Sequence, residues 1–174
     1  MNSERLSARA RQPGHDRTFV TSENNFVRAL AMILPADKYR IVEKPTELRK
    51  ILGSYGVVPE ASIECIPTGR KMYFEVKKQG SRGNADERAC KHHTVQFYKT
   101  LADHTGHDYH AFCTVMCESL ATLDRYTKKH PYFFEEGHYF LWVDYDVDLL
   151  REFIEEVCRK FLTGATHRMD PASE

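Results

Sequence analysis

Residues 71–78 alternate apolar and polar side chains, which is the pattern of a β-strand whose two faces meet different surroundings. A second run with strand character, residues 57–66, precedes it, and the Pro-Thr-Gly-Arg segment 67–70 lies between the two. The two runs therefore predict an antiparallel hairpin. On the second strand, Glu75 and Lys77 would share the face opposite the apolar side chains.

The rest of the chain combines helical and strand patterns. Two continuous apolar runs, residues 111–117 and 139–145, predict buried strands. Helices are predicted over residues 24–33, 47–54, 84–103, 119–129 and 146–162. A hairpin followed by alternating strands and helices indicates an α/β fold with a mixed central β-sheet flanked by helices. Residues 1–22 are polar and arginine-rich and predict a flexible basic arm, which leaves residues 23–174 as a single domain.

Charge is balanced overall but unevenly placed. The 25 basic and 25 acidic side chains cancel, whereas residues 69–99 contain eight Lys or Arg against three acids. Residues 132–156 reverse this, with eight acids and one arginine. Such polarity is typical either of a basic face that binds phosphates or of two solvated surfaces. No run is apolar enough to cross a membrane or to act as a secretory signal, and we expect a cytoplasmic protein. The five cysteines suggest neither a disulfide framework nor a zinc ribbon.

The hairpin brings acids together. With a loop over residues 67–70, Ser62 would lie opposite Glu75 and Glu60 opposite Lys77, so that Glu60 and Glu75 are one diagonal step apart. Two carboxylates at that separation repel each other unless a cation neutralises them, and oxygen ligands suit Mg²⁺ or Mn²⁺. Lys77 beside them could orient a water or stabilise a phosphate. The alternative is an ordinary amphipathic hairpin with solvated charges.

The loop after this strand leads into a helix start with unusual chemistry. Gly80 and Gly83 permit close backbone approach, and Asn84 is a competent N-cap. Asn can bond adenine at two positions, Glu can accept from an exocyclic amine and Arg can donate to purine acceptors, so Asn84, Glu87 and Arg88 form a set suited to reading bases. Simple helix capping explains the first residues equally well.

These segments resemble a known family. E-V-K-K-Q-G at residues 75–80, followed by G-N-A-D-E-R at residues 83–88, is similar to the paired motifs of the EcoRI and MunI branch of type II restriction endonucleases, within the PD-(D/E)XK superfamily. The resemblance is nearest to the MunI type, which cleaves CAATTG. It covers residues 59–99 most strongly, and it implies a PD-(D/E)XK restriction-endonuclease-like fold and double-stranded DNA as the substrate.

The resemblance implies three catalytic residues. Glu75 and Lys77 match the catalytic acid and lysine of the motif. The family pattern begins Pro-Asp, whereas this chain has Pro59-Glu60, so Glu60 stands where an aspartate is expected. Glu60 and Glu75 would hold Mg²⁺, for which Mn²⁺ can substitute. The extra methylene of Glu60 displaces its carboxylate, and we expect this to impair cleavage more than binding.

The resemblance also implies how DNA is recognised. The segment that reads the central AATT matches Gly83, Asn84, Ala85, Glu87 and Arg88. Arg82 is the candidate for the outer guanine, because a guanidinium fits O6 and N7, and Lys91 is the candidate for a phosphate contact. A palindromic site implies a homodimer. Restriction enzymes of this kind act in the bacterial cytoplasm beside a cognate DNA methyltransferase.

Two alternatives stay open at this point. One is a nuclease of the same fold that lacks base specificity, and the other is a DNA-binding module of nuclease ancestry that is disabled at Glu60.

Other clusters of acids and histidines in the sequence are weaker candidates for a functional site. We interpret Asp146 as a helix cap, not as part of a second metal site with Asp144 and Asp148. The histidines at positions 92, 93, 104, 107 and 110 are expected on loops or helix surfaces.

Overall fold

The computed structural model describes residues 19–53, 56–78, 83–106, 109–118 and 120–164. Its strands are β1 (Tyr39–Glu43), β2 (Ala61–Cys65), β3 (Lys71–Lys78), β4 (Phe112–Glu118) and β5 (Tyr139–Val143). Its α-helices are α1 (Phe19–Ile33), α2 (Glu47–Ile51), α3 (Ala85–Ala89), α4 (Val95–Thr105), α5 (Leu120–Lys129) and α6 (Val147–Val157). Short 3₁₀ turns follow α3 (Cys90–His92) and α5 (His130–Tyr132), and a π-helical turn, Cys158–Leu162, extends α6.

The described strands form one five-stranded sheet in the order β1-β2-β3-β4-β5. The pairs β1–β2 and β2–β3 are antiparallel, whereas β3–β4 and β4–β5 are parallel. Each parallel connection carries helix, as parallel neighbours require. The predicted fold class, a mixed sheet flanked by helices, is confirmed.

Two hydrophobic cores lie on the two faces of the sheet. The first contains Phe74 of β3 and Trp142 of β5, together with apolar side chains of α1 and α6. The second contains Tyr73 of β3 and Phe112 of β4, together with apolar side chains of α2 and α4. Because neighbouring side chains of β3 enter opposite cores, both faces of this central strand are covered near its start.

Several element boundaries differ from the sequence prediction. Strand β1 was not predicted, and α1 begins at Phe19, inside the segment assigned to the arm, of which residues 1–18 lie outside the described residues. The single helix predicted over residues 84–103 is wrong, because the chain breaks after the 3₁₀ turn and α4 starts anew. Thr94 caps α4, and its side chain accepts a hydrogen bond from the Phe97 N–H at 3.2 Å.

The predicted register of the hairpin is also wrong. Ser62 lies opposite Tyr73, not Glu75, and Ile63 lies opposite Met72. The loop runs over residues 66–69, because the Cys65 N–H bonds the Arg70 carbonyl oxygen at 2.9 Å. Gly69 closes this loop with a φ of 68°, a conformation that favours glycine.

No helix among the described residues is long and apolar enough to cross a membrane.

Candidate active site and base-reading segment

Glu60, Glu75 and Lys77, which we call the carboxylate cluster, meet on the face of the sheet that carries the second core. Continuing the observed register by one pair places Glu60 opposite Glu75, nearer than the diagonal that the sequence predicted. Both glutamates are 8% exposed. Thr114 of β4 lies beside Glu75 in the parallel register. The predicted convergence of the two acids on one face is therefore present.

The Glu60 carboxylate is held against β3. Its Oε2 accepts a hydrogen bond from the Val76 N–H at 2.8 Å, and the Glu60 N–H donates to the Phe74 carbonyl oxygen at 2.9 Å. Burial raises the pKa of Glu60, and the negative charge of Glu75 raises it further, while Lys77 opposes the effect. A cation bound between the two carboxylates would offset their mutual repulsion.

Two nitrogen groups border Glu75. The Lys77 Nζ contacts Glu75 Oε1, with the lysine side chain 23% exposed. The His92 Nε2 lies 3.8 Å from the same oxygen. Burial lowers the pKa of His92 to about 3, with Lys91 and Lys77 adding to the effect, so this imidazole is neutral near pH 7. Among the described residues that contact this carboxylate, Lys77 is therefore the one that carries a positive charge.

The donor set fits a hard divalent cation. Two adjacent carboxylates offer oxygen ligands, and Mg²⁺ in proteins keeps several waters and is held by one or two carboxylates. In the part of the chain that is described, no group of three or more His, Cys, Asp and Glu side chains could hold a metal. A cation at Glu60 and Glu75 would thus complete its shell with water or with substrate oxygens.

The predicted base-reading residues lie at and around α3. Asn84 occupies the N-cap position of α3 without a capping hydrogen bond from its side chain. Asn84 is exposed, and so are four further members of the predicted set: Gly83, Glu87, Arg88 and Lys91. Ala85 is buried, so its side chain faces the protein and not the surface. Arg82 lies outside the described residues.

The predicted base-reading residues adjoin the carboxylate cluster. Helix α3 packs against β3, and the 3₁₀ turn that follows it delivers His92 to Glu75. His92 itself is 2% exposed and packs on the rings of Phe97 and Phe112, with centroids 5.6 and 4.9 Å apart. The predicted base-reading residues and the carboxylate cluster therefore lie next to each other, in contact through the turn Cys90–His92.

A second charged group, missed by the sequence analysis, lies on the other side of α3. The Lys129 Nζ is 2.9 Å from Asp86 Oδ2 and 2.9 Å from Glu87 Oε1, and we call these three residues the Lys129 cluster. The Asp86 side chain is fully buried. The close contact with Asp86 raises the pKa of Lys129. The signal in the sequence was Asp86 itself, an acid on the same helical face as Ala85 and Ala89, where it needs a buried partner.

The expectation of exposed histidines is wrong for positions 92, 93 and 110. His92 and His110 are buried, and His93 is partly buried, with its ring nitrogens bonded to Thr114 Oγ1 at 2.8 Å and Tyr98 OH at 3.1 Å. Burial lowers the pKa of each of these three histidines. They are neutral packing groups between the sheet and α4. Asp146 caps α6 as predicted, with its Oδ1 accepting from the Asp148 and Leu149 N–H groups.

Comparison with known proteins finds a structural relative. The fold is similar to that of the crystal structure of MunI restriction endonuclease in complex with cognate DNA, with a TM-score of 0.57 and 20% sequence identity. The match covers 88% of this chain and 94% of that one. By sequence, no protein-family model matches, and no curated protein matches either. The chain therefore has a restriction-endonuclease-like fold.

Proposed function

We propose that this protein is a Mg²⁺-dependent type II restriction endonuclease that hydrolyses both strands of double-stranded DNA at a short palindromic AATT-centred site, CAATTG. One observation carries the proposal. Two buried glutamates and a lysine converge beside an exposed segment with base-reading chemistry, on a fold similar to that of MunI endonuclease. Mg²⁺, or Mn²⁺ in its place, would be held by Glu60 and Glu75 and would polarise the scissile phosphate and lower the pKa of a water.

The side chains of the carboxylate cluster have distinct tasks in this proposal. Glu75 presents one oxygen to the Lys77 ammonium and keeps the other for a ligand. Lys77 orients the attacking water and offsets the charge that develops on the phosphate. Glu60 is fixed by the Val76 N–H through one oxygen, so its second oxygen can be directed at the cation. The hydrogen bond thus offsets the freedom that the extra methylene of glutamate would introduce.

Recognition in this proposal uses the segment around α3. Asn84, Glu87 and Arg88 contact base edges of the central AATT, with Gly83 allowing close approach and the buried Ala85 packing the segment against the protein, while Lys91 contacts a phosphate. Arg82 is proposed to read the outer guanine. Each half of the palindrome would be read by one copy of the chain, so the active form is a homodimer with one cluster per strand. A cognate methyltransferase would protect the DNA of a bacterial host, in whose cytoplasm the enzyme would act.

Digestion of a sequenced plasmid tests the proposal most directly. We expect discrete fragments whose ends map to CAATTG in the presence of Mg²⁺ and no cleavage in its absence. A ladder of fragments would instead indicate a metal-dependent nuclease without base specificity. Arg82→Ala should relax the choice of the outer base pair, whereas an equal loss on all sequences would make Arg82 a phosphate contact.

A second candidate function is a sequence-specific DNA-binding protein with weakened or absent catalysis. The observation that favours it is Glu60, which stands in place of aspartate and whose Oε2 already accepts a hydrogen bond from the Val76 N–H. Tight binding to CAATTG without cleavage in Mg²⁺ or Mn²⁺ would establish this alternative. If Glu60→Asp and Glu60→Ala both leave Mg²⁺-dependent cleavage unchanged, Glu60 has no role as a metal ligand.

A further inference from the structure

Helix α3 is too short to hold its own position. It has five residues, and isolated helices of fewer than about 12 are marginal in water, so its orientation depends on contacts with the rest of the protein. Its buried face consists of Ala85, Asp86 and Ala89. Two methyl groups bury little apolar area. The charged contact of Asp86 is therefore a principal tether of α3.

That tether ends at the last residue of α5. The Lys129 Nζ is 2.9 Å from Asp86 Oδ2, inside the protein, and 2.9 Å from Glu87 Oε1, at its surface. The same nitrogen lies 5.0 Å from the centroid of the Phe133 ring. The Asp86 Oδ1 accepts a hydrogen bond from the Glu87 N–H at 2.9 Å, which fixes the first turn of α3. One ammonium group thus holds two consecutive residues of α3.

The contact with Glu87 bears on the bases directly. Glu87 belongs to the proposed base-reading set, and its side chain is 57% exposed. Since Lys129 bonds Oε1, the carboxylate has a defined direction, and Oε2 can accept a hydrogen bond from an exocyclic amine. The lysine charge also offsets the repulsion between this carboxylate and the phosphates of DNA.

We propose that Lys129 is a specificity-determining positioning residue, which sets the orientation of α3 through Asp86 and the direction of the Glu87 carboxylate toward the bases. This inference rests on the proposed function. It assigns to Lys129 no contact with DNA. Removing its amine should therefore reduce the discrimination between the correct site and a site with one altered central base pair, and should do so without removing a phosphate contact.

The test compares Lys129→Gln with Lys128→Gln. Lys128 is the adjacent residue, and its pair with Asp124 is on the surface, with side chains 75% and 85% exposed. For the unmodified protein and each variant, cleavage rates are measured in Mg²⁺ on the mapped site and on a duplex with one central pair changed. We expect Lys129→Gln to lower the ratio of these rates about tenfold or more, and Lys128→Gln to leave it unchanged.

The salt dependence of DNA binding distinguishes a positioning role of Lys129 from a direct contact between Lys129 and a phosphate. Loss of a phosphate contact reduces the slope of log affinity against log salt by about 1 and weakens binding on all sequences alike. We expect the slope for Lys129→Gln to equal that of the unmodified protein. An unchanged rate ratio, or a uniform loss with a smaller slope, would overturn the inference.

A variant that fails to fold is distinguished by thermal melting. Lys129→Gln leaves the buried Asp86 without this cation, and such a loss is destabilising. The double variant Asp86→Asn, Lys129→Gln removes the buried charge as well, and it replaces the single variant in the assay if the latter is unfolded. For the double variant, the ratio of cleavage rates and the salt slope are interpreted in the same way as for the single variant. If the unmodified protein itself shows no discrimination, the proposed function fails, and this inference fails with it.

Discussion

Glu75 and Asp86 are both buried carboxylates with a histidine Nε2 3.8 Å away, yet their other neighbours differ. Beside Glu75 lies a second buried acid, Glu60, and Lys77 contacts Glu75. Asp86 instead faces Lys129, and the second acid of that cluster, Glu87, is exposed. The buried part of the carboxylate cluster thus has an excess of acid, whereas that of the Lys129 cluster is balanced. Excess buried acid is costly for the fold and useful for a cation, while a balanced pair serves to hold elements together.

The largest effect should come from Glu75→Gln, which removes the excess acid. We expect Mg²⁺-dependent cleavage to fall on the order of 10³-fold, since one proposed metal ligand is lost. We also expect the metal-free protein to be as stable as before or more stable, because Glu60 no longer faces a second carboxylate. Cleavage of the mapped plasmid site and denaturant unfolding without metal measure the two effects. Retained cleavage, or a loss of several kcal/mol in unfolding free energy, would break the comparison.

Asp86→Ala, in contrast, should destabilise the protein. It removes the acid of a balanced buried pair and the hydrogen bond to the Glu87 N–H, and we expect the free energy of unfolding to fall by about 3 kcal/mol. Asp124→Ala is the matched control, because the Asp124–Lys128 pair is on the surface, and its loss should change stability by less than about 1 kcal/mol. Denaturant midpoints with unchanged slopes measure both. Equal effects at the two positions would show that Asp86 is no tether.

Acid should lower the stability of the fold through two buried histidines, one beside each cluster. Burial lowers the pKa of His92 to about 3 and that of His130 to about 4, while the ordinary value is 6.5. The unfolded chain therefore binds protons below pH 6.5 that the folded chain refuses, and the unfolding free energy falls as pH decreases from 6.5 toward 4. Each histidine contributes at most about 1.4 kcal/mol per pH unit.

Glu60 makes the stability depend on pH in the opposite direction. Its raised pKa means that the folded chain keeps a proton that the unfolded chain releases, so its contribution to stability is lost as pH rises.

His130→Phe tests the contribution of the histidines. The new ring would lie among those of Tyr126, Phe134 and Tyr139, and the loss of stability toward low pH should become less steep. Unfolding free energies at several pH values in metal-free buffer measure both limbs. An acid limb of equal steepness in the variant would remove His130 from this account.

The sequence predicted most of what local pattern controls. Alternation located β3 to the residue, and a hydrogen-bonding N-cap was found at Asp146. The two glutamates were placed on one face because side-chain alternation is a property of the strand itself. The register could not be predicted in the same way, since shifting the loop from residues 67–70 to residues 66–69 changes every cross-strand pair. The two loops differ by one residue at each end and share the same turn-forming residues, so the sequence does not distinguish between them.

Contacts between distant segments account for what the sequence analysis missed. Asp86 and Lys129 are 43 positions apart, and His93 meets Thr114 across 21. The break between α3 and α4 follows from Thr94, which caps a new helix, and from His92 and His93, which turn inward there. Apolar spacing continued through this region and concealed the break. Periodicity reports which faces are buried, but not what a buried polar group will meet.

The smallest effect should come from His92, which links the proposed base-reading residues to Glu75. Its Nε2 lies 3.8 Å from the Glu75 oxygen that Lys77 contacts, so the ring limits where this carboxylate can point. His92→Leu keeps an apolar group of similar size against Phe97 and Phe112. We expect kcat to fall about tenfold, because a carboxylate displaced by a fraction of an ångström holds the reacting groups less well. KM and the discrimination between sites should stay unchanged, since α3 retains its attachment to Lys129. If discrimination between sites falls while kcat is retained, His92 acts with the Lys129 cluster in positioning α3. The difference in charge balance would then not explain the different roles of the two clusters.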